Sequence, residues 1–218
     1  MIAQVDLVVP VKALHLAKSR LRAGDGSADN PAHRELVLAV TRDTIAAARA
    51  ATVVRRVVAI CSDPAAVAVL RADGVEVIPD EPDAGLNAAL RHGAALLRAD
   101  DPGAATGALQ ADLPALRPAE LSAAATAALT AFAGCTAARA FSPDRAGTGT
   151  TLLLAAPGVE LDPRFGPGSA RVHAASGALH LDGPWSTLRC DVDTEADLAE
   201  AARLGLGPHT SAVLAAQV

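Results

Sequence analysis

Short apolar runs rich in β-branched residues alternate with stretches of helical period along most of this chain, and that alternation constrains its fold most. Val5 to Val9 is a strand-length run closed by Pro10. Ala32 to Ala51 follows with Leu36, Val40, Ile45 and Ala48 at helical spacing. Val57 to Cys61, Val75 to Ile78 and Thr106 to Gln110 read as further strands. Helices are expected at Pro64 to Arg71 and Leu86 to Arg98 between them, with Ser62, Asp63 and Pro64 as cap and first turn. A helix near Pro118 to Phe132 leads into strands around Thr136 to Phe141 and Thr150 to Leu154. Strands joined through helices imply parallel crossovers. Toward the C-terminus the strands lie closer together and Gly and Pro increase, which predicts an antiparallel addition. The expectation is an α/β fold, one doubly wound domain over residues 1–218 with a mostly parallel sheet and a small antiparallel part.

Composition narrows the function classes. Net charge is −5, so the overall field repels nucleic acid and anionic membranes, and any phosphate site must be local. Aromatics make up only 2%, which argues against base-stacking platforms. Cys61, Cys135 and Cys190 are isolated and odd in number, with neither a CxxC pair nor a disulfide framework. No signal peptide is legible at the start and no apolar run approaches the ~20 residues of a membrane span, so the expected location is the cytoplasm, with no nucleic-acid or membrane partner.

In a doubly wound sheet, ligands sit beyond the carboxyl ends of the strands. Five segments fall there or in the C-terminal loops. Pro10 to Leu21 carries Lys12, Lys18 and Arg20, cations suited to a triphosphate, without the glycines of a Walker loop. Gln110-Ala111-Asp112 ends a strand with a carboxylate that could hold Mg²⁺, an ion that prefers one or two carboxylates plus substrate phosphates. In Arg189 to Thr194, Asp191 and Asp193 project to one face of an extended segment. Two carboxylates ~6 Å apart repel by roughly 3 kcal/mol at an effective dielectric of about 20, which a cation relieves. Asp193 could instead cap the next helix, and Thr194 with Asp197 matches a capping box. Asp144 to Thr151 offers glycines flanked by threonines, a loop in which backbone N–H groups can approach an anion. Gly166 to Ser169 precedes a helix whose free N–H groups can bind phosphate, with Arg164 and Arg171 as a further carboxylate clamp. None of the six histidines shows metal-like spacing, and no GxSxG is present.

Taken together, PVKxLxxAKSRL, the LN-A-L stretch at Leu86 to Leu90, LQADLPAL, DRAGTGT, LDPRFGPGSA and CDVDTEADL cover nearly the whole chain in order. In this the chain resembles the 2-phospho-L-lactate or phosphoenolpyruvate guanylyltransferases of deazaflavin coenzyme F-420 biosynthesis, and most of all their actinobacterial branch. The resemblance implies a Rossmann-like nucleotidyltransferase fold of the nucleotide-diphospho-sugar transferase type. It implies GTP as nucleotide and a phosphorylated three-carbon acid as acceptor, phosphoenolpyruvate or 2-phospho-L-lactate, with transient contact with the next enzyme of the pathway. It further implies Mg²⁺ on Asp112, Asp191 and Asp193, triphosphate contacts from Lys12, Lys18 and Arg20, and acceptor contacts from Thr150, Thr151, Gly166 and Ser169. Lys18 joins the three aspartates as a catalytic residue, and Asp63 and Asn87 are the candidates for reading guanine. The rival readings are a nucleotidyltransferase with another acceptor, a glycosyltransferase, and a non-catalytic GTP-binding regulator on the same fold.

Overall fold

The computed structural model describes residues 4–12, 30–81 and 84–216. The elements run β1 (Val5–Pro10), α1 (Pro31–Ala50), β2 (Val54–Ile60), α2 (Pro64–Ala72), β3 (Glu76–Ile78), α3 (Leu86–Asp100), β4 (Ala105–Leu109) and α4 (Pro118–Ala133). They continue with β5 (Arg139–Pro143), β6 (Thr150–Ala155), α5 (Ser169–Ala175), β7 (Leu179–His180), α6 (Glu195–Leu204) and α7 (Pro208–Ala216). The strands form one seven-stranded sheet in the order β3-β2-β1-β4-β6-β5-β7. β1 pairs in parallel with β2 and β4, and β3 in parallel with β2. β6 runs antiparallel between β4 and β5, the expected antiparallel part.

Pleating sorts β1 between two cores. Val5, Leu7 and Val9 pack with Val37 and Ile45 of α1 and Leu121 of α4 on one face. Val8 packs on the other face with Leu90, Ala94 and Leu97 of α3. A strand covered on both faces gives the continuous apolar run seen in the sequence. A third cluster joins Leu36 and Val40 of α1 to Cys190, Val192 and Ala201, and so fixes the segment before α6 against α1. Two elements, β7 and α7, go beyond the pattern expected from the sequence. α7 is held by Asp43 of α1, whose carboxylate accepts from the His209 and Thr210 N–H groups at 3.0 and 2.7 Å. Among the described residues, no helix is long and apolar enough to cross a membrane.

Gly107 sits where β4 meets β1 and β6. A Cβ there would lie 2.4 Å from a Leu154 methyl, 2.9 Å from a Leu7 methyl and 2.9 Å from the Leu153 carbonyl oxygen. Gly107→Val is therefore expected to cost about 2–3 kcal/mol by overpacking. Urea titration should show a lower midpoint with an unchanged slope; an unmoved midpoint would mean that the central sheet yields more than this packing allows.

Candidate active site

The chain leaves β1 for β2 on one side and later returns to β4 on the other, so the ends of β1 and β4 part and leave a crevice. A cleft of about 550 Å³ opens there. Lys12 contributes to it from beyond β1, Gln110 and Asp112 from beyond β4, and Asp191 and Asp193 from the segment before α6. Its far wall carries Asp144, Gly149, Thr150, Gly168 and Ser169.

The acidic wall is built by backbone ties. The Val192 N–H donates to the Asp112 carbonyl at 3.0 Å, which joins two segments that are remote in sequence. The Thr44 hydroxyl of α1, fully buried, accepts from the Leu113 N–H at 2.9 Å and approaches the Ala111 carbonyl at 3.1 Å. Val192 is buried in the third cluster, so Asp191 and Asp193 on either side of it face the cleft. The capping question resolves in favour of Thr194. Its hydroxyl accepts from the Asp197 N–H at 3.2 Å, and the Asp197 carboxylate accepts from the Thr194 N–H at 3.0 Å. Asp193 thus lines the cleft rather than capping α6.

Burial, with Asp112, Asp144 and Asp193 as charged neighbours, pushes the Asp191 carboxyl up to about 7. Among the described residues no group of three His, Cys, Asp or Glu side chains is gathered closely enough to form a finished metal cage. The expected aspartates are brought to one cleft but not closed around a point. The donor set still fits a hard divalent cation: it is all oxygen, and Mg²⁺ takes only one or two carboxylates when phosphates complete its shell.

The opposite wall is made of hydroxyls. Asp144 follows β5, and its carboxylate accepts from the Thr148 and Gly149 N–H groups at 2.9 and 2.7 Å. A Cβ on Gly149 would sit 2.4 Å from that carboxylate, so only glycine allows the approach. The glycine-threonine loop therefore already clasps an anion, its own Asp144, where its N–H groups were expected to meet a ligand. α5 makes a similar correction: the Ser169 and Ala170 N–H groups are spent on the Gly166 and Thr148 carbonyls, each at 3.1 Å. Two side-chain hydroxyls also line this wall, those of Thr150 and Ser169, 3.2 Å apart. Gly168, with φ +72° in the left-handed region, makes the turn that presents Ser169.

Thr151 does not join them. The β5–β6 register jumps from Ser142↔Leu152 to Pro143↔Thr150, which makes Thr151 the extra residue of a β-bulge. It is 1% exposed, with its hydroxyl 3.5 Å from the Ser142 carbonyl. Arg164 pairs with Asp162 at 3.1 Å and Arg171 is exposed away from the cleft, so no arginine clamp forms.

A second cleft of about 810 Å³ adjoins the first, with Pro10, Val11, Lys12 and Leu86 lining both. Asp63 and Ser62 lie in it. The Asp63 carboxylate caps α2, accepting from the Ala65 and Ala66 N–H groups at 3.0 and 3.2 Å. Asn87 lines neither cleft. Its amide donates to the Phe165 carbonyl at 2.9 Å and accepts from the Phe165 N–H at 2.8 Å, which pins the loop before α5. Both ends of that amide bond the Phe165 backbone, which sets Asn87 apart from both clefts. Lys18 and Arg20 lie outside the described residues.

No protein-family model matches the chain. Among curated sequences it is similar to the phosphoenolpyruvate guanylyltransferase of Salinispora arenicola (strain CNS-205), 54% identical over 205 residues, covering 94% of this chain and 91% of that protein. The Streptomyces scabiei (strain 87.22) protein of the same name is 52% identical over 97% of this chain and 96% of its own length. The chain belongs to the phosphoenolpyruvate guanylyltransferase family. Solved structures agree on the fold. A candidate nucleotide-diphospho-sugar transferase from Desulfovibrio desulfuricans G20 superposes with a TM-score of 0.66 at 18% identity, over 97% of this chain and 94% of that one. A 4-diphosphocytidyl-2C-methyl-D-erythritol synthase superposes with a TM-score of 0.58 at 16% identity, over 94% and 99%.

Two residues of this guanylyltransferase cleft are not singled out by the sequence patterns. Asp144 belongs to the glycine-threonine loop, and its place after a strand is the signal that could have marked it. His173 has no metal-like spacing, yet it stands four residues from Ser169 on α5 and its Nδ1 lies 2.9 Å from the Thr150 hydroxyl.

Asp191 supplies a test that needs no substrate. Its carboxyl is held above its ordinary value, so between about pH 4 and 7 the unfolded chain ionises while the folded one keeps the proton. Stability contributed below pH 4 is lost as pH rises through 7. Asp191→Asn removes this slope. In chelator, the variant's stability relative to the unsubstituted protein should rise from pH 4 to pH 8 by a few kcal/mol at most, a tenfold change in proton affinity being worth ~1.4 kcal/mol. Parallel thermal stability curves for the two proteins would show that Asp191 ionises normally.

Proposed function

We propose that this protein transfers the guanylyl group of GTP to the phosphate of phosphoenolpyruvate and releases pyrophosphate, a step in making the deazaflavin coenzyme F-420. The observation that carries this reading is the 3.0 Å bond from the Val192 N–H to the Asp112 carbonyl, through which Asp112, Asp191 and Asp193 share one cleft with Lys12 and the Thr150–Ser169 hydroxyls. The family names point to the same reaction.

In this reading a phosphate oxygen of the acceptor attacks the α-phosphorus of GTP. The new P–O bond forms as the bond to the β-phosphate breaks, and the electron pair leaves with pyrophosphate. The acceptor phosphate is already ionised at pH 7, so the protein removes no proton in this step. Its own work is positioning and charge control. Lys12, with Lys18 and Arg20, carries positive charge toward the triphosphate. The Thr150–Ser169 hydroxyl pair presents a donor to the acceptor, held in place by the loop that Gly166 and Gly168 shape. Asp112, Asp191 and Asp193 are the residues that would hold Mg²⁺, which when bound neutralises phosphate charge and draws the two polyanions together. The second cleft, with Asp63 on its wall, is the place for the guanine base.

Asp112→Asn or Asp191→Asn should lower kcat/KM for pyrophosphate release from GTP and phosphoenolpyruvate by a factor of about 10² or more, corresponding to ~3 kcal/mol of transition-state stabilisation. Near-normal turnover in both would remove the aspartates from the mechanism. Replacing phosphoenolpyruvate by 2-phospho-L-lactate in the same assay tests the acceptor, and GTP binding without pyrophosphate release would mark a regulator. Asn87→Ala should raise the KM for the acceptor several-fold by loosening the Phe165 loop, at a cost of about 1 kcal/mol. It should leave the preference for GTP over ATP intact; a collapse of that preference would return Asn87 to the base site.

A further inference from the structure

Building on the guanylyl-transfer reading, we propose that His173 is a positioning residue that sets the hydrogen-bond direction of the Thr150–Ser169 pair, so that the pair must present a donor to an anionic oxygen of the three-carbon acid. His173 is fully buried on α5, behind the hydroxyl wall. Its Nε2 lies 3.0 Å from the Arg164 backbone nitrogen, whose N–H can only donate. Nε2 is therefore the bare nitrogen, and a neutral ring then carries its hydrogen on Nδ1. That hydrogen points along the 2.9 Å contact to the Thr150 hydroxyl, which accepts it.

The consequence for the hydroxyls is a matter of counting. Thr150 and Ser169 own one hydrogen each, and one of the two is spent across their 3.2 Å contact. The other cannot return to His173, because Nδ1 is already a donor. It is left for the cleft, which both side chains line. With the opposite tautomer the pair would give that hydrogen to the ring and show an anion only lone pairs. The environment keeps the ring neutral. Phe141 lies 5.8 Å away and Phe165 meets the ring edge-on at 5.2 Å, and this burial takes the pKa down to about 4. Of the charged groups facing it, Asp162 pulls upward while Arg164 and Arg139 push further down.

Two substitutions separate this from a packing role. His173→Gln can set an oxygen near the Nε2 position and keep the Arg164 bond while losing the donor to Thr150. His173→Asn can set an N–H near the Nδ1 position and keep that donor. The Gln variant should raise the KM for phosphoenolpyruvate about tenfold, the scale of one oriented hydrogen bond to a charged group. Its kcat and its KM for GTP should stay within about threefold, and the Asn variant should keep the acceptor KM within about threefold. In the unsubstituted protein, ¹⁵N NMR should show Nε2 without a proton at pH 7 and no titration of the ring above pH 5. Equal damage by the two variants, a bare Nδ1, or an ordinary titration near 6.5 would overturn the proposal. If the unsubstituted protein released no pyrophosphate from GTP and phosphoenolpyruvate, the transfer reading would fail. The NMR result, and calorimetry of phosphoenolpyruvate binding to the two variants, would still decide the role of His173.

Discussion

One backbone hydrogen bond, Val192 to Asp112, holds the acidic side of this cleft together against its own charge. Burial, and with it the charge of the carboxylates around it, makes Asp191 resist ionisation. Left to side-chain energetics they would separate. The fold prevents this with groups that carry no charge: a peptide N–H, the buried Thr44 hydroxyl, and the apolar seat of Val192 among Leu36, Val40 and Ala201. The site is strained electrostatically and held mechanically. Such an arrangement gains from binding a cation.

The other wall answers the same problem in reverse. An anionic acceptor needs donors, but the obvious backbone donors are already occupied. Thr148 and Gly149 hold Asp144, while Ser169 and Ala170 hold carbonyls. Donation falls to hydroxyls, whose hydrogens rotate and could equally turn away. A neutral imidazole behind them, fixed by a peptide N–H, removes that freedom.

Much of the fold was legible because period and punctuation agree. β1, α1 and α3 begin within a residue of where their apolar patterns place them. β2 starts three residues before its apolar run. Arg55 and Arg56 there find carboxylates on Asp6, Asp101, Glu76 and Asp100, and hydropathy carries no trace of such pairing. β7 is two residues long and offers no period to read. Within the site, the rule that ligands gather after strands pointed to Asp112, and the alternation of an extended segment pointed to Asp191 and Asp193; all three line one cleft. Thr151 entered only through the family resemblance, and no periodicity marks the bulge that buries it. Periodicity is equally silent about Asn87, whose amide could serve a base or a backbone until Phe165 was seen beside it.

β6 runs against its neighbours, and this has a mechanical result. A parallel strand reaches the rim by its last residue and hands over to a loop. β6 reaches it by its first, Thr150, which pairs with Pro143 of β5, while β4 joins the ladder from Leu152 onward. That stretch of the rim is tied to the sheet through β5. The Thr150 hydroxyl that lines this part of the cleft is thus carried by a strand, not by a loop.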